Sequence, residues 1–453
     1  MSDKVLYFFL ILTLVMNTEK ISAQKQWTLD NCIQYALKNN LDIASKEIST
    51  EVDKEYFKQS QRNRLPSLSA GSNYNIYYGK SVDPNTNDVT YNSFSSNSYG
   101  MYASMSLFNG FVKKNTIDYN RFIYTAGISQ ETALKNEIAF DVMNAFHNSL
   151  YYRGLLEIVK QQKELSDLNL EKVKKEVNVG ISAKTDVLEI EARLADEEAL
   201  VIRTENSLNA ALLELKKIMH YPVNEPLNLQ EITDKNMIQS AIFENADSVF
   251  QLALQHLPEV KAKNQELKAV EETLAIARGN LFPSVSVSGG YNTGYYETRT
   301  DENGKPITFG DQLKNNASQN IGFSLSIPLF NRWNSRSQIK LNKLNLEKKK
   351  VELENYKNEL FYQIESYCQE LSAISAEYLQ AKKQTESNQL AFQVAEKKKE
   401  QGLINILDFY TSKNLLSNAQ SELLRTRLLF LLKRKTIDFY LGKPVFGIDN
   451  SEN

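Results

Sequence analysis

Two stretches with a period of two interrupt a chain that otherwise reads as long helix. The first, Pro66 to Asn109, opens Pro-Ser-Leu-Ser-Ala and closes Ser-Met-Ser-Leu-Phe-Asn. The second, Pro283 to Asn331, opens Pro-Ser-Val-Ser-Val and closes Ser-Leu-Ser-Ile-Pro-Leu-Phe-Asn. In the first arm Leu68, Ala70, Tyr74, Ile76 and Tyr78 share one face, and Ser67, Ser69, Asn73 and Asn75 the other. In the returning arm Met101, Ala103, Met105 and Leu107 oppose Gly100, Ser104 and Ser106. The second stretch repeats the pattern, with Val285, Val287 and Tyr291 against Ser284, Ser286 and Ser288, then Ile321, Phe323, Leu325 and Ile327 against Gly322, Ser324 and Ser326. Such alternation gives a strand one apolar and one polar face. None of the four arms carries a charge, whereas the wet face of a soluble sheet usually holds Lys, Glu or Arg. Arms of about ten residues, apolar outward and small-polar inward, with aromatic ends, are the signature of a transmembrane β-barrel.

The rest of the chain suits helix. Gly and Pro number only 17 and 9 in 453 residues, which leaves long stretches without a breaker. Basic and acidic residues nearly balance at 53 and 55, so no excess of positive charge points to nucleic acid. Residues 1–24 read as a secretory leader: Lys4, an apolar core from Val5 to Met16, and Ile21-Ser22-Ala23 as the cleavage site. That core is too short to span a bilayer, and no other run reaches the length a membrane helix needs. Entry into a membrane would therefore require a barrel. Cys32 and Cys368 stand far apart and read as two unpaired buried thiols. His147, His220 and His256 are scattered. There is no nucleophile–base pair, phosphate loop or metal spacing, so the sequence offers no enzyme activity, cofactor or metal site.

In chain order, a helix starts at Thr28 or Asp30 as cap, breaks at Asn39-Asn40, and is followed by a second from Asp42 to Arg64. The hairpin 66–109 follows, its tip at Lys80–Asn97. A helical pattern without proline then runs over 111–179, roughly 100 Å of helix. Gly180 stops it at a tight turn, and Thr185 or Asp186 caps the next helix, 185–220, with Glu189 placed as in a capping box. Asn224–Asn236 reads as a linker. The plan then recurs: a short helix over Ala241–Gln255, the hairpin 283–331 with Asp301–Pro306 at its tip, a long helix 334–399, a turn at Gly402, and a helix 408–441. Leu41-Asp42 returns as Pro258-Glu259, Leu107-Phe108-Asn109 as Leu329-Phe330-Asn331, and Asp186 as Asp408. The spacing predicts two structural repeats, 25–230 and 231–453. Four strands cannot close a barrel, so the chain is expected to oligomerise, giving eight strands as a dimer or twelve as a trimer.

The sequence resembles the TolC-type outer-membrane efflux proteins over almost all of the chain beyond the leader. The resemblance is carried by Thr28-Leu29 with Ile33, Ala36 and Leu37, by both Pro-Ser-x-Ser strand starts, by both Leu-Phe-Asn strand ends, and by Val179-Gly180 through Thr185-Asp186-Val187-Leu188 with Ala192-Arg193. It implies a mainly α fold with β: a trimeric channel-tunnel in which four strands per chain form a shared 12-stranded outer-membrane barrel above a long α-helical barrel in the periplasm. It further implies a passive exit duct of a tripartite efflux or type I secretion system, with a periplasmic adaptor and an inner-membrane transporter as partners. Adaptors in the family engage the helix-turn-helix tips, which map to Gly180, Ile181 and Ser182 and to Gly402, Leu403 and Ile404. The position of a cation-selecting aspartate is Asp408; a second, often also aspartate, is Thr411, and a basic latch position is Ile404. The competing expectation is an exported coiled-coil scaffold, which explains the helices but not the uncharged arms.

Overall fold

The computed structural model describes residues 26–446 except 84–86, 92 and 232–244. The leader expected over 1–24 lies outside the described residues, as do the first residues of the helix expected from Ala241. In chain order the elements are β1 (Gln26–Trp27), α1 (Leu29–Asn39), α2 (Leu41–Arg62), β2 (Ser67–Tyr77), β3 (Ser81–Val82), β4 (Val89–Thr90), β5 (Phe94–Asn109), α3 (Val112–Asn178), α4 (Lys184–Met219), β6 (Asn228–Leu229), α5 (Ala246–His256), α6 (Pro258–Gly279), β7 (Ser284–Tyr296), α7 (Phe309–Asn315), β8 (Ser318–Ser326), α8 (Asn334–Glu400) and α9 (Ile406–Tyr440). No helix among the described residues is long and apolar enough to cross a membrane. The chain divides into two compact units, each assembled from both halves of the sequence.

One unit, Glu47–Gln130 with Pro258–Lys357, carries the sheet. Its strands lie in the order β2-β5-β7-β8, all antiparallel, so β2 and β8 are edges. The register stacks like with like. Met101 lies between Ala70 and Tyr291, and Val287 between Met105 and Phe323. On the other face Ser104 lies between Ser67 and Ser288, and Ser286 between Ser106 and Ser324. The apolar face is bare: Leu68, Ile321, Phe323 and Leu325 are each 63% exposed or more.

The sheet departs from the expected pattern at three places. A bulge between Ser106 and Phe108 makes Leu107 the extra residue, so Phe108, not Leu107, shares the row of Val285 and Leu325. β8 stops at Ser326, short of the expected Leu329-Phe330-Asn331 end, with Pro328 unable to donate to a ladder. The second hairpin tip contains a helix, α7, that alternation did not foretell. Thr308 caps it, and buried Gln312 fixes it by accepting from the Tyr296 N–H at 3.0 Å and donating to the Tyr296 carbonyl at 2.9 Å.

Below the sheet, the turn from β5 into α3 touches the end of α6. A Cβ on Gly279 would sit 2.6 Å from the Gly110 carbonyl oxygen, so the two backbones meet where only glycine fits. Glu266 on α6 then accepts from Gln130 and Lys349, both at 2.7 Å, tying α3 and α8 to α6.

The other unit, built from residues up to Lys46, Glu131–Leu257 and Asn358–Asn453, is helical among its described residues apart from one parallel strand pair. β1 pairs with β6, an element set inside the expected linker. The ring of Trp27 meets Tyr35 at 5.5 Å and Tyr221 at 5.4 Å, both edge-on, which seats the start of the chain. Thr28, not Asp30, is the first N-cap; its hydroxyl accepts from the Asn31 N–H at 3.1 Å. Ile33, Met143, Phe146, Leu215, Met219 and Phe430 are fully buried. Cys32 is a buried free thiol whose pKa burial pushes up to about 12; Cys368 is half-buried, not buried as expected.

His147 is enclosed in this core. Its Nδ1 lies 2.8 Å from the Met143 carbonyl, and burial lowers its pKa from 6.5 to about 4. A depressed imidazole contributes stability above the unfolded pKa and loses it as pH falls toward the folded one. Thermal melting should therefore weaken from pH 6.5 toward pH 4, and His147→Gln should flatten that slope; an unchanged slope would show that other groups set the acid limit. Gly279→Ala, by forcing the two backbones apart, is expected to cost about 1–3 kcal/mol in stability, read as a lowered melting temperature.

Candidate functional site

The two helix-turn-helix tips belong to the helical unit and are built alike. α3 ends with Gly180 at φ 80°; the Ile181 N–H donates to the Glu176 carbonyl at 2.8 Å and the Gly180 N–H to Val177 at 3.0 Å. α8 ends with Gly402 at φ 69°; the Leu403 N–H donates to Lys398 at 2.8 Å and the Gly402 N–H to Lys399 at 3.0 Å. This is the two-bond helix stop in which a left-handed residue satisfies the last carbonyls. Glycine adopts this conformation at least cost, and both tips supply it.

The helix starts correct the expected capping. α4 begins at Lys184 with Ala183 as N-cap, so neither Thr185 nor Asp186 caps it. Asp186 is instead the third helical residue, and its carboxylate accepts from the Ala183 N–H at 3.2 Å. α9 begins at Ile406, two residues before the expected start, because Asn405 caps it by accepting from the Asp408 N–H at 2.8 Å. The two aspartates thus differ. The Asp186 carboxylate is engaged by its own turn. The Asp408 carboxylate is exposed and accepts no hydrogen bond among the described residues, while its position in the first turn favours negative charge. Thr411 turns its hydroxyl back to the Leu407 carbonyl at 2.8 Å.

Behind the tips an apolar cluster joins both hairpins: Val173, Ile190, Phe392, Phe409, Tyr410 and Leu416 are buried. Ile404 is half-buried against it, so it acts in packing, whereas Ile181 and Leu403 are 76% and 68% exposed. A groove of about 780 Å³ separates the tips, lined by residues that include Glu176, Ser182, Asp186, Gly402 and Asn405.

One buried cation lies just behind this cluster, and the sequence reading did not single it out. Lys413 on α9 is wholly buried. Its Nζ donates to the Gln162 carbonyl and Ser166 Oγ on α3, both at 2.6 Å, and to Glu197 Oε1 on α4 at 2.9 Å. Every acceptor belongs to the first half of the chain and the donor to the second. Burial lowers the Lys413 pKa, opposed by the hydrogen bond to Glu197. Lys399 rests on the Phe409 ring at 4.3 Å and donates to Asn169 at 2.7 Å; burial, then the neighbouring Lys172, lowers its pKa to about 8. The available signal was periodicity: Phe409, Lys413 and Leu416 share a helical face, which puts a lysine on an apolar stripe.

No group of three or more His, Cys, Asp or Glu among the described residues could hold a metal ion. Nor do the tips gather a nucleophile and base. Their geometry suits contact and passage.

The chain matches the family model described as outer membrane efflux protein over residues 32–219 and 249–443. It is 21% identical to alkaline protease secretion protein AprF of Pseudomonas aeruginosa, across 90% of this chain and 82% of that one. It is 25% identical to outer membrane protein TolC of Salmonella enteritidis, across 70% of this chain and 64% of that one. Its fold is similar to the Campylobacter jejuni CmeC outer membrane channel, with a TM-score of 0.78 at 16% identity over 94% of this chain and 87% of that one. The chain belongs to the outer membrane efflux protein family. It is a non-catalytic channel of the outer membrane that reaches into the periplasm.

Removing one partner of a buried ion pair leaves the other charge uncompensated, at a cost of about 3 kcal/mol, whereas removing both can be nearly neutral. Lys413→Met should lower the melting temperature of the detergent-purified protein, and the double variant Lys413→Met/Glu197→Leu should recover most of the loss. Equal losses in both would show that the pair does not join the hairpins.

Proposed function

We propose that three copies of this chain close a twelve-stranded barrel and that the assembly is the exit duct of a tripartite efflux or type I secretion system. The observation that carries the reading is the sheet: four uncharged strands, a bare apolar face, and two edges with unpaired backbone groups. Open edges are not tolerated in lipid, so the strands must be pooled. The secretion role named for the Pseudomonas aeruginosa relative makes exported protein one candidate cargo, beside small molecules. On this reading the repeats 25–230 and 231–453 each give one hairpin and one tip.

The tips would dock a periplasmic adaptor, through which an inner-membrane transporter supplies the cargo. Ile181 and Leu403 offer exposed apolar side chains on turns made by Gly180 and Gly402, with Ser182 beside them; the half-buried Ile404 supports them from behind. Asp408 is the gate residue of choice because Asn405 does the capping and leaves its carboxylate unengaged. Symmetry would place three such carboxylates in a ring, which concentrates cations and resists anions. Thr411 adds a hydroxyl but no charge, and would give a weaker ring than two aspartates. The scaffold alternative leaves the uncharged sheet without a purpose.

Planar-bilayer conductance tests this, with mass measured on the same detergent-solubilised sample. The expected result is a discrete pore from a trimer, blocked by multivalent cations, with Asp408→Ala weakening the block about tenfold or more. A dimeric mass, or a particle that stays non-conducting after tip-loosening substitutions, would refute the duct.

A further inference from the structure

Each strand-to-helix junction of the sheet unit contains two consecutive residues in the left-handed region. At the first they are Gly110 and Phe111, φ 64° and 65°; at the second, Arg332 and Trp333, φ 55° and 62°. Both turns display an aromatic ring, Phe111 and Trp333, each 59% exposed. They differ in where their charge sits: Lys113 and Lys114 follow the first turn, whereas Arg332 stands inside the second. Where the first uses glycine, which bears this conformation freely, the second places arginine, which does not.

Arg336 follows one turn later, its guanidinium 4.4 Å from the centre of the Trp333 ring. Leu281, Leu329, Phe330, Trp333 and Arg336 line a pocket of about 240 Å³. Leu329 is 92% and Phe330 75% exposed, and they follow β8 just beyond its end at Ser326. No Asp or Glu occurs from Gln312 to Leu346, and neither Arg332 nor Arg336 has a carboxylate partner among the described residues. Exposed apolar side chains just beyond the bare sheet, with Arg336 at the pocket they line and Arg332 in the same turn, match an acyl chain joined to a phosphate.

We propose that the junction from Leu329 to Arg336 binds an anionic phospholipid of the periplasm-facing leaflet. Arg332 and Arg336 hold its phosphate, and Leu329, Phe330 and Trp333 hold an acyl chain. The inference rests on the barrel reading above.

The chain has two tryptophans, Trp27 and Trp333, so Trp27→Phe leaves Trp333 as the sole reporter. The protein is reconstituted in phosphatidylcholine vesicles containing a small fraction of brominated phosphatidylglycerol or, separately, brominated phosphatidylcholine. Brominated phosphatidylglycerol should quench Trp333 about twofold or more beyond brominated phosphatidylcholine, and Arg332→Gln/Arg336→Gln should abolish the difference while quenching persists. Equal quenching by both lipids would overturn the phosphate site. The control moves the tryptophan onto the sheet, Phe323→Trp in a Trp27→Phe/Trp333→Phe chain. If that reporter is quenched and Trp333 is not, the barrel reading stands and the lipid site falls, the ring being covered by protein such as a second copy. If neither is quenched, the barrel reading fails and the site with it.

Discussion

Backbone hydrogen bonding at the sheet edges is the constraint on which this architecture depends. β5 and β7 are paired on both sides, but among the described residues β2 and β8 each keep one side unpaired. In water such an edge is a liability; in hydrocarbon it is prohibitive, because no solvent satisfies its N–H and C=O groups. The side chains match that demand. The arms hold no charge, their apolar residues pair in register from strand to neighbouring strand, and the serine rows occupy the opposite face. A surface apolar on one side and small-polar on the other has no use until the strands are joined to more of their kind.

The hairpins and the long helices were legible in the sequence because their periods are long and unbroken. Val112–Asn178 and Asn334–Glu400 fall within a residue of the expected ends, since glycine turns terminate both. What escaped depends on tertiary partners. Leu107 became a bulge because of its register against β7, which alternation along one strand does not report. α7 is too short to show a helical period, and β1 and β6 are two residues each. At the tips, Asp186 and Asp408 matched in sequence but not in role. The difference lies three residues upstream of each, where the Ala183 side chain has no acceptor to offer and that of Asn405 has one. Ile404, expected at a docking tip, lost its exposure to the apolar cluster behind it.

Lys413 shows what the helical unit selects for. An apolar residue there would continue the stripe of Phe409 and Leu416 and avoid the desolvation of a charge. A lysine gives something that greasy packing does not: a single allowed register. Its ammonium reaches three acceptors on two helices at once, so sliding α9 along α3 by even a turn would strand a buried charge. Long helices packed by small and aliphatic residues have many near-equivalent registers, and a buried polar contact is the usual way to choose one. Such a contact matters most near the tips, because the position of Asp408 is inherited from the register of α9. With Asn405 occupied in capping and Lys413 fixing the helix one turn further on, the unengaged carboxylate is held by two neighbours that have no need of it. A fixed charge is thereby presented at the turn without being spent on the fold.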